Sequence, residues 1–188
     1  MKKTLALLFF SLFFVFAVNI DNTKAAEATT DAEKEFDLTI QEKQEQEVIL
    51  PNGEKAVIGI EPVPQIESRV SNDYTASKGT STWRVYFDAA TLASEFYATV
   101  YVPSSGYSEI KEIYGERPIR ILLGTVKSED FKLVRQKETS KLPAHAYYRI
   151  TTEWLTGGGI GNTGSSSPTL KISVKGSKVT TEAVGFWL

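Results

Sequence analysis

Thr82-Trp83-Arg84-Val85-Tyr86-Phe87 is followed, after a short Ala89–Ala93 stretch, by Phe96-Tyr97-Ala98-Thr99-Val100-Tyr101-Val102. These two runs decide the fold. In both, a large or apolar side chain recurs at every second position, the period of a strand with one buried face. Trp83, Val85 and Phe87 point to one side, which leaves Arg84 and Tyr86 on the other. Likewise Phe96, Ala98 and Val100 face inward, and Tyr97, Thr99 and Tyr101 face outward.

The same period extends in both directions. Upstream, Phe36, Leu38 and Ile40 alternate with Asp37 and Thr39, and Val48-Ile49-Leu50 and Ala56–Ile60 flank the turn Pro51-Asn52-Gly53-Glu54. Pro62 and Pro64 end that unit, because proline cannot continue a ladder. Downstream, Ser108–Tyr114, Ile119–Val126, Phe131–Arg135, Ala146–Leu155, Thr169–Val174 and Lys178–Trp187 are further strands, the last two joined by a Lys175-Gly176-Ser177 turn. No stretch carries a long helical period; Thr91–Tyr97 and Ser128–Phe131 hold a helical turn at most. About ten short strands with turns between them predict an all-β antiparallel β-sandwich, with a β-barrel as the alternative.

The N-terminus reads as a secretory signal peptide over residues 1–26. Lys2 and Lys3 supply the positive start, Leu5 to Ile20 is apolar except for Ser11 and Asn19, and Ala25, Ala26 and Ala28 offer small residues at the cut. The organisation expected is signal peptide 1–26, a flexible acidic spacer 27–35, and one β-sandwich domain over 36–188, of ordinary domain size. The expected location is secreted, extracellular or held at the cell envelope. No second apolar stretch approaches the roughly 20 residues that span a bilayer, so no membrane span is expected in the mature chain. The chain has no cysteine, which excludes disulfides and zinc–thiolate sites. A cysteine-free exported domain fits a Gram-positive bacterium better than a small eukaryotic secreted module.

The net charge is −2, unevenly placed. Glu27 to Glu54 holds nine acidic residues against Lys34 and Lys43, whereas 16 basic and 13 acidic residues follow from Lys55 onward. Nothing resembles the clustered basic stripe of a nucleic-acid binder, so no nucleic-acid partner is expected. Gly159-Ile160-Gly161-Asn162-Thr163-Gly164 matches a dinucleotide fingerprint in letters, but Ser165-Ser166-Ser167-Pro168 and a strand follow it instead of a helix. Gly157–Ser167 is read as a flexible loop. With no calcium-loop or His-Glu-x-x-His pattern either, no cofactor and no metal site are expected.

No catalytic set assembles from the sequence. His145 is the only histidine, and Glu153 lies on the same strand roughly 26 Å away, too far to share a proton. The serines of Ser165–Ser167 sit in no nucleophile elbow. Glu109/Glu112 and Glu129/Asp130 are the acid pairs available to a glycosidase. The most suggestive constellation is a face. Tyr148, Ile150 and Trp154 facing inward put Tyr147, Arg149, Thr151 and Glu153 outward. If their strands are neighbours, Arg84, Tyr86, Tyr97, Tyr101, Tyr147 and Arg149 form one ligand-binding surface of the residue types that interfaces favour.

Glu35-Phe36-Asp37-Leu38, Gly59-Ile60-Glu61-Pro62-Val63-Pro64, Thr82–Phe87 and Ala93–Val102 occur in an order that resembles a family of small secreted proteins of Gram-positive bacteria, a domain of unknown function. The resemblance covers most of Phe36–Leu188 and implies export and an immunoglobulin-like β-sandwich; it transfers no site residues. The function expected is a non-enzymatic binding module acting on a cell-wall polymer or an extracellular protein. The alternatives are an extracellular hydrolase using carboxylates from different strands, and a secreted inhibitor contacting its target through Gly157–Ser167 or Asn72–Gly79.

Overall fold

The computed structural model describes residues 31–64, 79–122, 124–155 and 163–186. Residues 1–26, expected as a signal peptide, most of Asn72–Gly79 and the glycine-rich 157–162 lie outside the described residues. Within them the chain forms β1 (Asp31–Asp37), β2 (Gln44–Ile49), β3 (Lys55–Pro62), β4 (Gly79–Ala89), β5 (Leu92–Val102), β6 (Glu109–Ile121), β7 (Gly124–Arg135), β8 (Ala144–Leu155), β9 (Thr163–Ser166), β10 (Thr169–Lys175) and β11 (Lys178–Val184). The strands build two antiparallel sheets. A six-stranded sheet runs β1-β11-β10-β8-β7 with β9 also on β8, and a five-stranded sheet is the meander β2-β3-β4-β5-β6. They do not close into a barrel; the architecture is a β-sandwich.

The alternation read from the sequence fills the space between the sheets. Ile58 and Ile60 of β3, Trp83, Val85 and Phe87 of β4, and Phe96, Ala98 and Val100 of β5 are fully buried. They meet Tyr148 and Ile150 of β8, Leu170, Ile172 and Val174 of β10, and Val179 of β11 in one apolar core. Phe87 packs on Phe186 with ring centroids 4.3 Å apart, and Phe131 bridges the sheets edge-on between Phe96 and Tyr148. The turn at Pro51–Glu54 forms as expected, with Gly53 at φ +81° and its N–H donating to the Leu50 carbonyl at 2.8 Å. The Glu54 carboxylate then accepts from the Thr91 N–H at 2.9 Å, docking this turn onto the β4–β5 turn.

Three local expectations are corrected. Residues 31–35, expected as part of a flexible spacer, are strand: from Asp31 the chain pairs with β11 and buries Ala32 and Phe36. Ser108–Tyr114 and Ile119–Val126 are not separate strands: β6 runs unbroken to Ile121 because its ladder with β5 absorbs register shifts opposite Ala93/Ser94, Glu95/Tyr97 and Thr99/Val100. Gly115, at φ +65°, supplies the left-handed residue that one shift needs, and Pro118 is tolerated because β6 is an edge strand. Finally, the loop expected over Gly157–Ser167 contains strand at Thr163–Ser166, paired with Thr152–Leu155.

One polar anchor ties the two sheets together beside β6 and β7. Glu138, almost fully buried, accepts from the N–H groups of Ser108 at 3.1 Å and Gly176 at 2.8 Å. The Ser108 hydroxyl donates to the Gly176 carbonyl at 2.7 Å, so the β5–β6 and β10–β11 turns are held against the β7–β8 connection.

Candidate functional site

The six residues expected on one surface fall on opposite sides of the sandwich. β4 and β5 are neighbours in the five-stranded sheet, so Arg84, Tyr86, Tyr97 and Tyr101 share its outward face. β8 pairs with β7 and β10 in the other sheet, which carries Tyr147 and Arg149 to the far side. Side-chain parity was readable from sequence; strand neighbours were not.

On the five-stranded face, Tyr86 is nearly buried. It sits opposite Gly59, and a Cβ built there would lie 2.6 Å from the Tyr86 hydroxyl oxygen and 2.8 Å from Cζ, so the ring lies flat across the glycine. Its hydroxyl donates to the Glu45 carboxylate at 2.7 Å. Burial first, then this carboxylate, pushes the phenol pKa up. In return, hydrogen bonds from Lys43 and then Tyr86 hold Glu45 below its usual value. Arg84 lies over the Tyr86 ring at 4.7 Å and pairs with Glu61 at 3.0 Å and with Glu95. Glu95 is fully buried although it points outward, because Arg84 and Arg117 cover it from both sides. Arg84 and Tyr86 are therefore occupied within the sheet.

Further along, the side chains become available. Tyr97 and Tyr114 stack with centroids 5.5 Å apart and planes 14° apart. Tyr97 lies against Gly115, where a Cβ would sit 2.8 Å from Cδ2. Thr82 and Thr99 share a hydroxyl hydrogen bond at 3.1 Å in the next row. Beyond them Tyr101 is 36% exposed, with the Lys111 ammonium 5.3 Å from its ring centroid and Glu109 opposite. Tyr114 is 40% exposed, and neither it nor Lys111 was singled out from the sequence. Ile110 and Ile113 both face the core although three positions apart, because the register shift opposite Thr99/Val100 lies between them, and this broken period hides Tyr114.

On the six-stranded face, Tyr147 stands between Lys132 of β7 and Lys171 of β10. Its hydroxyl donates to Asp130 at 2.6 Å, which raises its pKa. Arg149 lies 5.1 Å from the Tyr147 ring and donates to the Thr169 hydroxyl at 3.3 Å. His145 shares a hydrogen bond with Ser173 at 3.0 Å, and Arg135 across from it donates to the Pro143 carbonyl. Burial, then the charges of Lys171 and Arg135, lower the His145 pKa. Beside it a groove of about 250 Å³ is lined by Glu35, Pro143, Ser173, Lys175, Lys178 and Thr180.

The acid pairs read from the sequence fare unequally. Glu129 and Asp130, adjacent on β7, project to opposite faces: Glu129 accepts from the inward Tyr148 hydroxyl and Asp130 from the outward Tyr147. Glu109 and Glu112 share the outward face of β6, where Glu109 is paired with Lys111. Among the described residues no group of three His, Asp or Glu side chains is placed to hold a metal ion.

Fold and surface together define an antiparallel β-sandwich with two outward faces of different chemistry. No family model matches the chain, and no curated protein matches it. A hypothetical protein, lmo2686 from Listeria monocytogenes EGD-e, has a solved structure similar to this one, at 25% sequence identity and a TM-score of 0.44, covering 79% of this chain and 98% of that one.

Proposed function

We propose that this chain is an exported, non-enzymatic binding module that acts at the cell envelope or on an extracellular macromolecule. The observation that carries the reading is the ridge on the five-stranded face: the Tyr97–Tyr114 stack, the Thr82–Thr99 hydroxyl pair and Tyr101 capped by Lys111. Flat, partly exposed rings with polar tips, held on rigid strands, give contact area at little entropic cost. The signal-like N-terminus and the resemblance to secreted Gram-positive proteins support export.

The test is co-sedimentation of the chain from Glu27 onward, which keeps every described strand, with isolated Gram-positive cell walls. Tyr101→Ala with Tyr114→Ala removes the two exposed rings of the ridge and leaves the glycine-backed Tyr86 and Tyr97 in the sequence, Tyr97 losing only its outer stacking partner. Each ring is worth about 1 kcal/mol, so the double variant is expected to bind on the order of 10- to 50-fold more weakly while remaining folded. Binding unchanged in that folded variant rejects the ridge as the contact.

A further inference from the structure

We propose that the outward face of the six-stranded sheet is a second binding surface, built for a linear polyanion whose charges are phosphates. This does not depend on the tyrosine ridge, which lies on the other side of the sandwich.

The two faces treat their cations differently. On the five-stranded sheet Lys43, Lys55, Arg84, Lys111, Arg117 and Arg120 each lie within ion-pair distance of a carboxylate. On β7, β8 and β10 of the other sheet, Lys171 is matched by Glu182 at 3.0 Å. Asp130 accepts from Tyr147, and Glu153 is held by Lys127 at 2.7 Å. Among the described residues no carboxylate comes within ion-pair distance of Lys132, Arg135, Arg149 or Lys175. On these three strands the outward cations outnumber the outward acids, with Asp130 opposite Arg149 in register; around His145, Lys171 and Arg135 both act against protonation and Glu182 favours it.

The arrangement is also ordered. Lys132, Tyr147 and Lys171 are in cross-strand register, so the two ammonium stems flank the ring about 5 Å to each side. Arg149 is the next outward residue on β8, and its Thr169 contact leaves guanidinium N–H groups for an anion. Toward the other end, Lys175 and the Ser173 and Thr180 hydroxyls border the groove, whose far wall carries Glu35 and Lys178, the latter paired with Asp37 at 3.0 Å. Point-charge ammonium groups interleaved with hydroxyl donors suit phosphate oxygens, and Tyr147 supplies a flat apolar rest for the uncharged segment between two charges.

The test titrates long-chain inorganic polyphosphate against the chain from Glu27 onward at several salt concentrations. With four unmatched cations engaged and about 0.7 ions released per contact, log Kd is expected to rise with log salt at a slope near 3, about 50-fold for a fourfold rise in salt. Combining Lys132→Gln, Arg149→Gln and Lys175→Gln, all exposed positions, is expected to cut that slope to about 1 with the near-ultraviolet circular dichroism unchanged. The Tyr101→Ala, Tyr114→Ala variant is expected to bind polyphosphate as the parent does, and polyglutamate of equal charge to bind at least about tenfold more weakly. A salt-independent signal, an unchanged slope in the folded triple variant, equal affinity for polyglutamate, or capture by phosphatidylglycerol vesicles but not by polyphosphate would overturn the assignment.

Discussion

Replacing Gly59 by alanine tests whether Tyr86 is part of the sheet or part of a binding surface. The new Cβ would sit 2.6 Å from the Gln44 carbonyl oxygen, 2.6 Å from the Tyr86 hydroxyl oxygen and 2.8 Å from its Cζ, where ordinary contact begins near 3.4 Å. The carbonyl belongs to the β2 backbone and yields little, so the ring is displaced. Overpacking of this kind costs about 1–3 kcal/mol. Pulling the hydroxyl from the charged Glu45 carboxylate, now 2.7 Å away, adds about 1.5 kcal/mol or more. The lower unfolded-state entropy of alanine returns about 0.5–1 kcal/mol. The net loss is about 2–4 kcal/mol, on the order of 5–15 °C in Tm for a domain of this size. Urea unfolding followed by fluorescence of the buried Trp83 and Trp154 measures it. On a Tyr86→Ala background the ring clash is gone and only the Gln44 carbonyl remains. The double variant should therefore be about 1–2 kcal/mol more stable than the sum of the two single changes implies. A Gly59→Ala protein within about 0.5 kcal/mol of the parent, or strict additivity with Tyr86→Ala, refutes the reasoning.

Thr181 is fully buried, and its hydroxyl has no hydrogen-bond partner among the described residues, so Thr181→Val keeps the shape, removes a desolvated polar group and should stabilise by about 1 kcal/mol in the same assay. A loss of stability would mean the hydroxyl is satisfied. Asp37 is held at about 2, below its usual 3.8, first by hydrogen bonds from Thr39 and then by Lys178, 3.0 Å away. A depressed carboxyl stabilises the fold above its unfolded pKa and loses that contribution as pH falls toward 2. Asp37→Asn should accordingly flatten the decline of the urea midpoint between about pH 5 and pH 2.5, by no more than about 1 kcal/mol because the pair is solvent-exposed. An unchanged acid slope in Asp37→Asn would remove the group from the account.

Parity carried most of what the sequence could say. Each inward residue named on β4, β5 and β8 is buried, because one polar residue in register on a core face costs more than any surface preference can return. Register and strand order were not legible, since they depend on which ladder each strand joins. Parity alone therefore groups Tyr147 and Arg149 with Tyr97 and Tyr101, although β8 lies in the other sheet. Edge irregularity was equally hidden. Gly115 and Pro118 read locally as breaks, yet β6 carries both as bulges that only its partner reveals. The buried Glu95 and Glu138 left no pattern at all: each is an isolated acid in sequence, made tolerable by Arg84 and Arg117 in one case and by the N–H groups of Ser108 and Gly176 in the other.

One device recurs and separates structural from available aromatics. Tyr86 lies over Gly59, Tyr97 over Gly115, and Trp154 over Gly124, where a Cβ would meet the indole at 2.8 Å. In each case a neighbouring strand supplies a residue without a side chain, and the ring covers backbone that would otherwise lie open. Such a ring can be removed only at a cost to the sheet, so changing it confounds binding with folding. Tyr101, opposite Thr80 and Glu109, and Tyr147, between Lys132 and Lys171, have no glycine beneath them. Tyr114 stacks on the outer partner of such a pair. These three rings are held up by side chains instead of lying on backbone. On each face they are where a ligand could displace a cation or share an aromatic surface without opening the sheet.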